Sequence, residues 1–258
     1  MSLPQVVSQD EWIAARKELL AKEKELTRVR DALSADRRRL PMVKVEKDYV
    51  FEGPAGKANL LDLFEGRRQL MVYHFMWLYD AGEPKDAGCP NCSGFANEIS
   101  EGELSHLRER ETTFALVSRA PLAKIEAFKA RMGWTFPWYS SYGSDFNFDF
   151  HVSFDESVTP IEYNYRSKAE WAKSDFDFTG WEQPFDLHGL SCFLRDGSDV
   201  HHTYSTYGRG AESVGGGSYF LDLTALGRQE DWEEPKGRAG GAPVAGDARI
   251  RYPDEYDD

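Results

Sequence analysis

The sequence predicts an α/β domain with a helical arm in front and an acidic tail behind, and three observations carry that expectation. Gln69 to Trp77 and Thr112 to Ser118 are dense in apolar, β-forming residues, as buried central strands are. Each is followed by a stretch of helical spacing opened by a proline, Pro90 or Pro121. Later, Leu190 to Leu194 and Val200 to Thr206 alternate on either side of Asp196-Gly197, as an antiparallel hairpin does.

In chain order, Ser8 to Leu33 reads as a long helix in which Ser8 and Glu11 form a capping box. Trp12, Leu19, Leu26, Val29 and Leu33 make a heptad-like stripe, and the opposite side is charged. The stripe suits an arm packed on its own domain or a homodimer contact. Residues 1–40 are this arm. Val43 to Phe51 reads as a small hairpin turning at Lys47-Asp48, and Leu60 to Phe64 as a helical turn. Tyr79 to Gly88 is a polar loop leading to a helix from Pro90, which Gly102 breaks or bends. The helix from Pro121 carries Leu122, Ile125, Phe128 and Met132 and ends at Gly133. Residues 134–188 fit no regular alternation and form an aromatic insertion. Ala211 to Gly227 is the last helix, weakened by Gly215-Gly216-Gly217, and it closes the domain spanning 41–227. Residues 228–258, acidic and without periodicity, form a flexible or loosely docked tail. A β-α-β start followed by β-β-α is a thioredoxin-type order.

Composition narrows the function. The 258 residues are 41% hydrophobic, enough to bury a sizeable core without covalent help. The net charge of −13 repels nucleic acid and anionic lipid, so neither is an expected partner. The first residues contain no basic segment followed by an apolar one, and no apolar run has membrane-spanning length. The cytoplasm is the expected compartment. There, three cysteines are not a disulfide framework, and a CxxC is catalytic or metal-binding more often than structural.

Cys89-Pro90-Asn91-Cys92 lies between the first central strand and its helix. Cys89 at the helix start meets unpaired N–H groups that stabilise a thiolate. Cys92, three residues on, returns to the same face and is placed to resolve a mixed disulfide. The sequence carries three characteristic blocks: Ala87-Gly-Cys-Pro-Asn-Cys-Ser; Val117-Ser-Arg-Ala-Pro-Leu with Gly133-Trp-Thr-Phe-Pro-Trp; and His202-Thr-Tyr-Ser-Thr-Tyr-Gly-Arg-Gly. They resemble a bacterial thioredoxin-like family of uncharacterised function. The stretch from Tyr49-Val-Phe-Glu-Gly to Gln69-Leu-Met-Val-Tyr-His-Phe looks like the opening of peroxiredoxin-like and thioredoxin-like proteins. The resemblance runs from about Val6 to Leu226 and implies the thioredoxin fold and a redox function. Two departures matter. Gly82 and Asp86 stand where a typical peroxiredoxin has Pro and Thr, which argues against a peroxidase. Gly88 replaces the Trp that precedes the first cysteine of a typical thioredoxin, and Gly189 falls at the cis-proline position.

The leading expectation is thiol–disulfide exchange, with Cys89 and Cys92 catalytic, a protein or small-molecule thiol or disulfide as partner, and no cofactor. The second is a copper or zinc site built from Cys89, Cys92 and His188, whose two thiolates and imidazole suit either ion. The third is a binding module with incidental cysteines and a small ligand in an aromatic pocket; Trp138, Tyr142, Tyr204 and Arg209 are the expected substrate-binding residues. The aromatic insertion is expected to cover the dithiol and to be either such a pocket or a secondary core. His74 is expected to be a hydrogen-bonded core residue and Cys192 an inert core thiol.

Overall fold

A computed structural model describes residues 3–214, 220–236, 240–243, 247 and 249–255. The chain divides into two units, residues 1–42 with 220–242 and residues 43–219 with 243–258.

The first unit is dominated by α1 (Gln9–Arg37), one turn longer than the apolar stripe required. Its expected capping box is present: Glu11 N–H donates to Ser8 Oγ at 3.3 Å, and the Glu11 carboxylate accepts from Ser8 N–H at 2.9 Å. None of its residues is buried.

The second unit holds β1 (Val43–Lys44), β2 (Val50–Gly53), β3 (Gly56–Asn59) and β4 (Gln69–His74). It continues with β5 (Trp77–Asp80), β6 (Glu83–Gly88), α2 (Pro90–Asn97), α3 (Glu101–Arg108), β7 (Thr112–Ser118), α4 (Leu122–Met132) and β8 (Trp138–Ser140). Then come α5 (Phe146–Asp149), β9 (Ser153–Phe154), β10 (Glu162–Tyr163), β11 (Arg166–Ser167) and α6 (Lys168–Trp171). β12 (Phe185–Asp186), β13 (Gly189–Asp196) and β14 (Asp199–Tyr207) complete the series.

The main sheet runs β1-β14-β13-β4-β7-β8-β2-β3. β4 lies parallel to β7 and antiparallel to β13, which pairs in turn with β14. A parallel β-α-β unit flanked on one side by an antiparallel hairpin is the thioredoxin-like arrangement expected from the element order. β7 is buried along its whole length because helices or loops cover both of its faces. One face carries Tyr73, Phe75, Trp77, Phe128, Trp138 and both CxxC cysteines. The other carries Phe51, Phe64, Leu70, Val72, Val117, Phe146 and Phe193. The alternation of Leu70, Val72 and Tyr73 between the two faces is the period-two pattern of β4 made visible.

Four expectations are corrected. Val43 does not pair with the Tyr49 segment: β1 joins β14, and β2 turns at Pro54-Ala55 to pair with β3, because Gly56 takes the left-handed φ of 104° that the turn needs. The strand begun at Gln69 stops at His74, and the expected polar loop is the hairpin β5–β6. Its turn is Ala81-Gly82 with φ of 47° and 83°, a conformation seldom signalled by alanine. The expected insertion begins too early, since β8 pairs in parallel with β7 inside the main sheet. The last helix is not formed as expected: Gly208–Val214 is a 3-10 segment, residues 215–219 lie outside those described, and residues 222–226 are turns and bends.

Much of the rest of the insertion forms a secondary core. Val152, Phe154, Ile161, Tyr163, Trp171, Phe178, Phe185 and Leu187 cluster with Tyr207, over the short pairs β9–β12 and β10–β11. The acidic stretch 228–258 is not one tail: residues 228–242 fall in the first unit and 243–258 in the second.

Candidate active site

Cys89 ends the β6 hairpin and is the N-cap of α2, with φ −69° and ψ 130°. Pro90 follows as the first helical residue, where its missing N–H costs nothing. Cys89 N–H donates to the Met76 carbonyl at 3.0 Å. Its own carbonyl accepts from Ser93 N–H at 3.0 Å and Ser93 Oγ–H at 2.9 Å. The backbone before it lies against the Phe75 ring, and a Cβ at Gly88 would collide with that ring. This accounts for glycine at the position where a bulky side chain was the point of comparison.

All three cysteines are free thiols. Cys89 is 4% exposed and Cys92 1%, yet the two respond oppositely. The Cys89 pKa is lowered to about 7, chiefly by the hydrogen bond from Cys92, with backbone N–H groups of Cys92 and Asn91 adding to it against burial. Burial pushes Cys92 well above the usual thiol range, and its bond to Cys89 adds to the rise. Tyr73 O–H donates to Cys92 Sγ at 3.4 Å and opposes that rise. Tyr73 is itself fixed by stacking on Phe95, with centroids 4.2 Å apart. A directed chain results, from the Tyr73 hydroxyl to the Cys92 thiol to the Cys89 thiolate.

The site has a neighbour that periodicity did not reveal. Tyr252 O–H donates to the Gly88 carbonyl at 2.8 Å, and its ring meets Phe128 edge-on at 5.7 Å. Arg131 lies over the Tyr252 ring at 4.7 Å and forks onto Asp254 at 2.8 and 3.0 Å and Glu255 at 2.9 Å. The strap around Tyr252 thus packs against the residue that precedes Cys89 and against the cysteines' cluster. Only the start of the insertion, Trp134, Phe136 and Trp138, joins the cysteines' cluster.

The other site expectations fare differently. Trp138 is fully buried, donates through Nε1–H to Ser118 Oγ at 3.0 Å, and belongs to the core, so it has no face for a ligand. Tyr142 is exposed, Tyr204 pairs across the sheet with Cys192, and Arg209 pairs with Glu212 at 3.3 Å. None of these four lines either of the two clefts described. One, of about 550 Å³, lies among Gly53, Lys57, Glu65, Lys129 and Tyr139; the other, of about 180 Å³, lies among Trp77, Tyr79, Trp181 and Pro184. No three His, Cys, Asp or Glu groups among the described residues are arranged to hold an ion, and His188 is engaged by the backbone. Its Nε2–H donates to the Gly208 carbonyl at 3.1 Å, and Tyr73 stands beside its ring at 6.4 Å. Gly189 opens β13, and the space its Cβ would take is filled by Tyr207 and Val152, with nearest atoms at 2.8 and 3.0 Å. His74 is the expected core residue, sharing a 2.9 Å hydrogen bond with Ser191 Oγ, and burial lowers its pKa to about 3. Cys192 is held at about 11 by burial, in keeping with an inert thiol.

A family model described as "Bacterial protein of unknown function (DUF899)" matches residues 1–256. The chain belongs to that family. No curated protein matches it. Among solved structures it is similar to a Cys-to-Ser variant of PrxQ from Xylella fastidiosa, at 15% identity and a TM-score of 0.40, covering 64% of this chain and 84% of that one. Peroxidoxin BcpB from Mycobacterium tuberculosis gives 12% identity and 0.41, covering 68% and 93%. A Cys-to-Ser variant of peroxiredoxin Q from Xanthomonas campestris gives 13% and 0.39, covering 64% and 84%. Among the described residues of this DUF899 protein, no helix is long and apolar enough to cross a membrane.

The strap makes a direct prediction. Its neutral hydrogen bond and edge-on ring contact together contribute about 2 kcal/mol. Tyr252→Ala is therefore expected to speed alkylation of Cys89 by iodoacetamide at least about tenfold at fixed pH. An unchanged rate, followed by mass spectrometry of the Cys89 peptide, would show that the strap does not limit access.

Proposed function

We propose that the protein is a cytoplasmic thiol–disulfide oxidoreductase in which Cys89 attacks and Cys92 resolves. The observation that supports this reading is the placement of two adjacent thiols, Cys89 as the N-cap of α2 and Cys92 buried within it under the Tyr73 hydroxyl, which lowers Cys89 to about 7 while burial pushes Cys92 well above the ordinary range. A buried structural pair has no need of such a division, whereas exchange needs one thiolate at neutral pH and one held in reserve.

The Cys89 thiolate attacks one sulfur of a substrate disulfide. A Cys89–substrate bond forms, the substrate S–S bond breaks, and the first substrate thiolate leaves and takes a proton from solvent. Cys92 then loses its proton to the departing second sulfur and attacks Cys89 Sγ. The Cys89–Cys92 disulfide forms, two electrons having passed to the substrate. Tyr73 O–H, donating to Cys92 Sγ, steadies the charge that gathers there as its proton departs. Run backwards, the same steps oxidise a substrate dithiol.

Cys92→Ser tests the proposal. With an oxidised dithiol substrate or glutathione disulfide, this variant is expected to accumulate a stable adduct on Cys89, seen as added mass on the Cys89 peptide that dithiothreitol removes. Absence of the adduct with every disulfide offered, including in the strap variant Tyr252→Ala, would sink the assignment.

A further inference from the structure

Among the described residues, none of α1 is buried, and its apolar stripe is exposed. The α1 residues Trp12, Leu19, Leu26 and Leu33 recur every seven positions and are 48–56% exposed. Ala15, Lys22 and Val29 fall three residues after the first three of them, which completes a seam of period 3.5. A helix of 29 residues that buries no side chain draws little stability from its own packing, so an apolar stripe of this kind calls for an occupant.

The charges beside the seam say which occupant. Glu11, Glu18 and Glu25 each precede a seam residue, on one flank. Arg16, Glu23, Arg30 and Arg37 form the other flank, three of them basic. When two copies lie parallel and in register, each residue of the acidic flank faces the residue five positions further along the second helix. Glu11 then meets Arg16 of the partner subunit, and Glu25 meets Arg30 of the partner subunit. The one like-charged contact, Glu18 with Glu23 of the partner subunit, is softened because Glu23 already binds Arg16 of its own helix at 2.8 Å. When the copies lie antiparallel, like flanks meet: glutamates face glutamates, and the arginine-rich flank faces itself. Lys22, the charged residue within the seam, has Glu18 and Glu25 one turn away on its own helix, and a single such residue fixes register.

We propose that α1 is the dimerisation element of this protein, and that it pairs with α1 of a second copy as a parallel, in-register two-stranded coiled coil. The proposal is independent of the dithiol chemistry, since no α1 residue belongs to that site.

Light scattering of the full chain over a concentration series is expected to give twice the chain mass. Leu19→Glu combined with Leu26→Glu is expected to give the single chain mass while leaving Cys89 alkylation unchanged. Leu19→Cys and Leu33→Cys, each alone and mildly oxidised, are expected to give covalent dimers on a non-reducing gel; the unsubstituted chain is not. A single chain mass for the unsubstituted protein, as for an arm packed on its own domain, overturns the proposal. So does a dimer that survives the double substitution. Cross-linking only when the two cysteine variants are mixed makes the helices antiparallel and overturns the arrangement.

Discussion

Cys89→Ser is expected to reduce disulfide exchange to the uncatalysed background, while Cys192→Ser leaves it intact. The two thiols differ for physical reasons. Cys89 is the N-cap of α2, held by the hydrogen bond from Cys92 and by backbone N–H groups at the helix start. A serine hydroxyl there accepts the same hydrogen bonds but is no nucleophile towards sulfur at neutral pH. Cys192 sits in β13 with its pKa raised to about 11 by burial, so at neutral pH it is protonated and spectates. The measurement is the rate of reduction of a disulfide substrate by each pre-reduced variant. Equal rates for Cys89→Ser and the unsubstituted chain would end the assignment of Cys89 as nucleophile.

The second large effect is on stability and lies in a buried ion pair. Asp186 Oδ1 accepts from Ser153 Oγ–H at 2.6 Å and stands 3.7 Å from Arg119 Nε, and Asp186 Oδ2 accepts from Trp77 N–H at 3.2 Å. Arg119 lies between the rings of Tyr79 and Phe148, each centroid 4.9 Å away. Asp186→Ala leaves this guanidinium enclosed without its carboxylate and is expected to cost about 3–5 kcal/mol at neutral pH. The charge has its own pH signature. Burial raises the Asp186 pKa from 3.8 to about 6 against the attraction of Arg119, so between those values the folded chain binds the proton more tightly than the unfolded one. The stabilisation is complete below pH 3.8 and is lost as pH rises through about 6. Relative to Asp186→Asn, which cannot titrate, the unsubstituted protein should lose about 3 kcal/mol over that interval. Urea unfolding of both proteins across the interval measures it; parallel pH profiles would show that Asp186 stays ionised throughout.

The parts of this protein that were legible in its sequence are those set by local chemistry. The Ser8–Glu11 cap, the two buried strands, the proline-opened helices and the Asp196-Gly197 hairpin all follow from residue type and spacing. The placing of Cys89 and Cys92 at the start of a helix follows in the same way. What escaped depends on contacts distant in sequence. β1 reads as the first half of a hairpin until its true partner, β14, is known. The Ala81-Gly82 turn hides because alanine rarely takes a positive φ. Trp138 is indistinguishable from a ligand-facing aromatic until its ring is found amid Phe75, Trp77 and Phe128. Tyr73 looks like any core tyrosine, and only tertiary structure points its hydroxyl at Cys92. Tyr252 and Arg131, more than a hundred residues apart, meet through the fold, and nothing in the aperiodic C-terminal stretch singles out the tyrosine.

The most direct test of the account is the pH dependence of alkylation at Cys89 and Cys92, read separately by peptide mass spectrometry on the reduced protein. The Cys89 rate is predicted to rise with a midpoint of about 7, with Cys92 silent through that range. A Cys89 midpoint at or above the free-thiol value of about 8.5, or Cys92 reacting first, would contradict it.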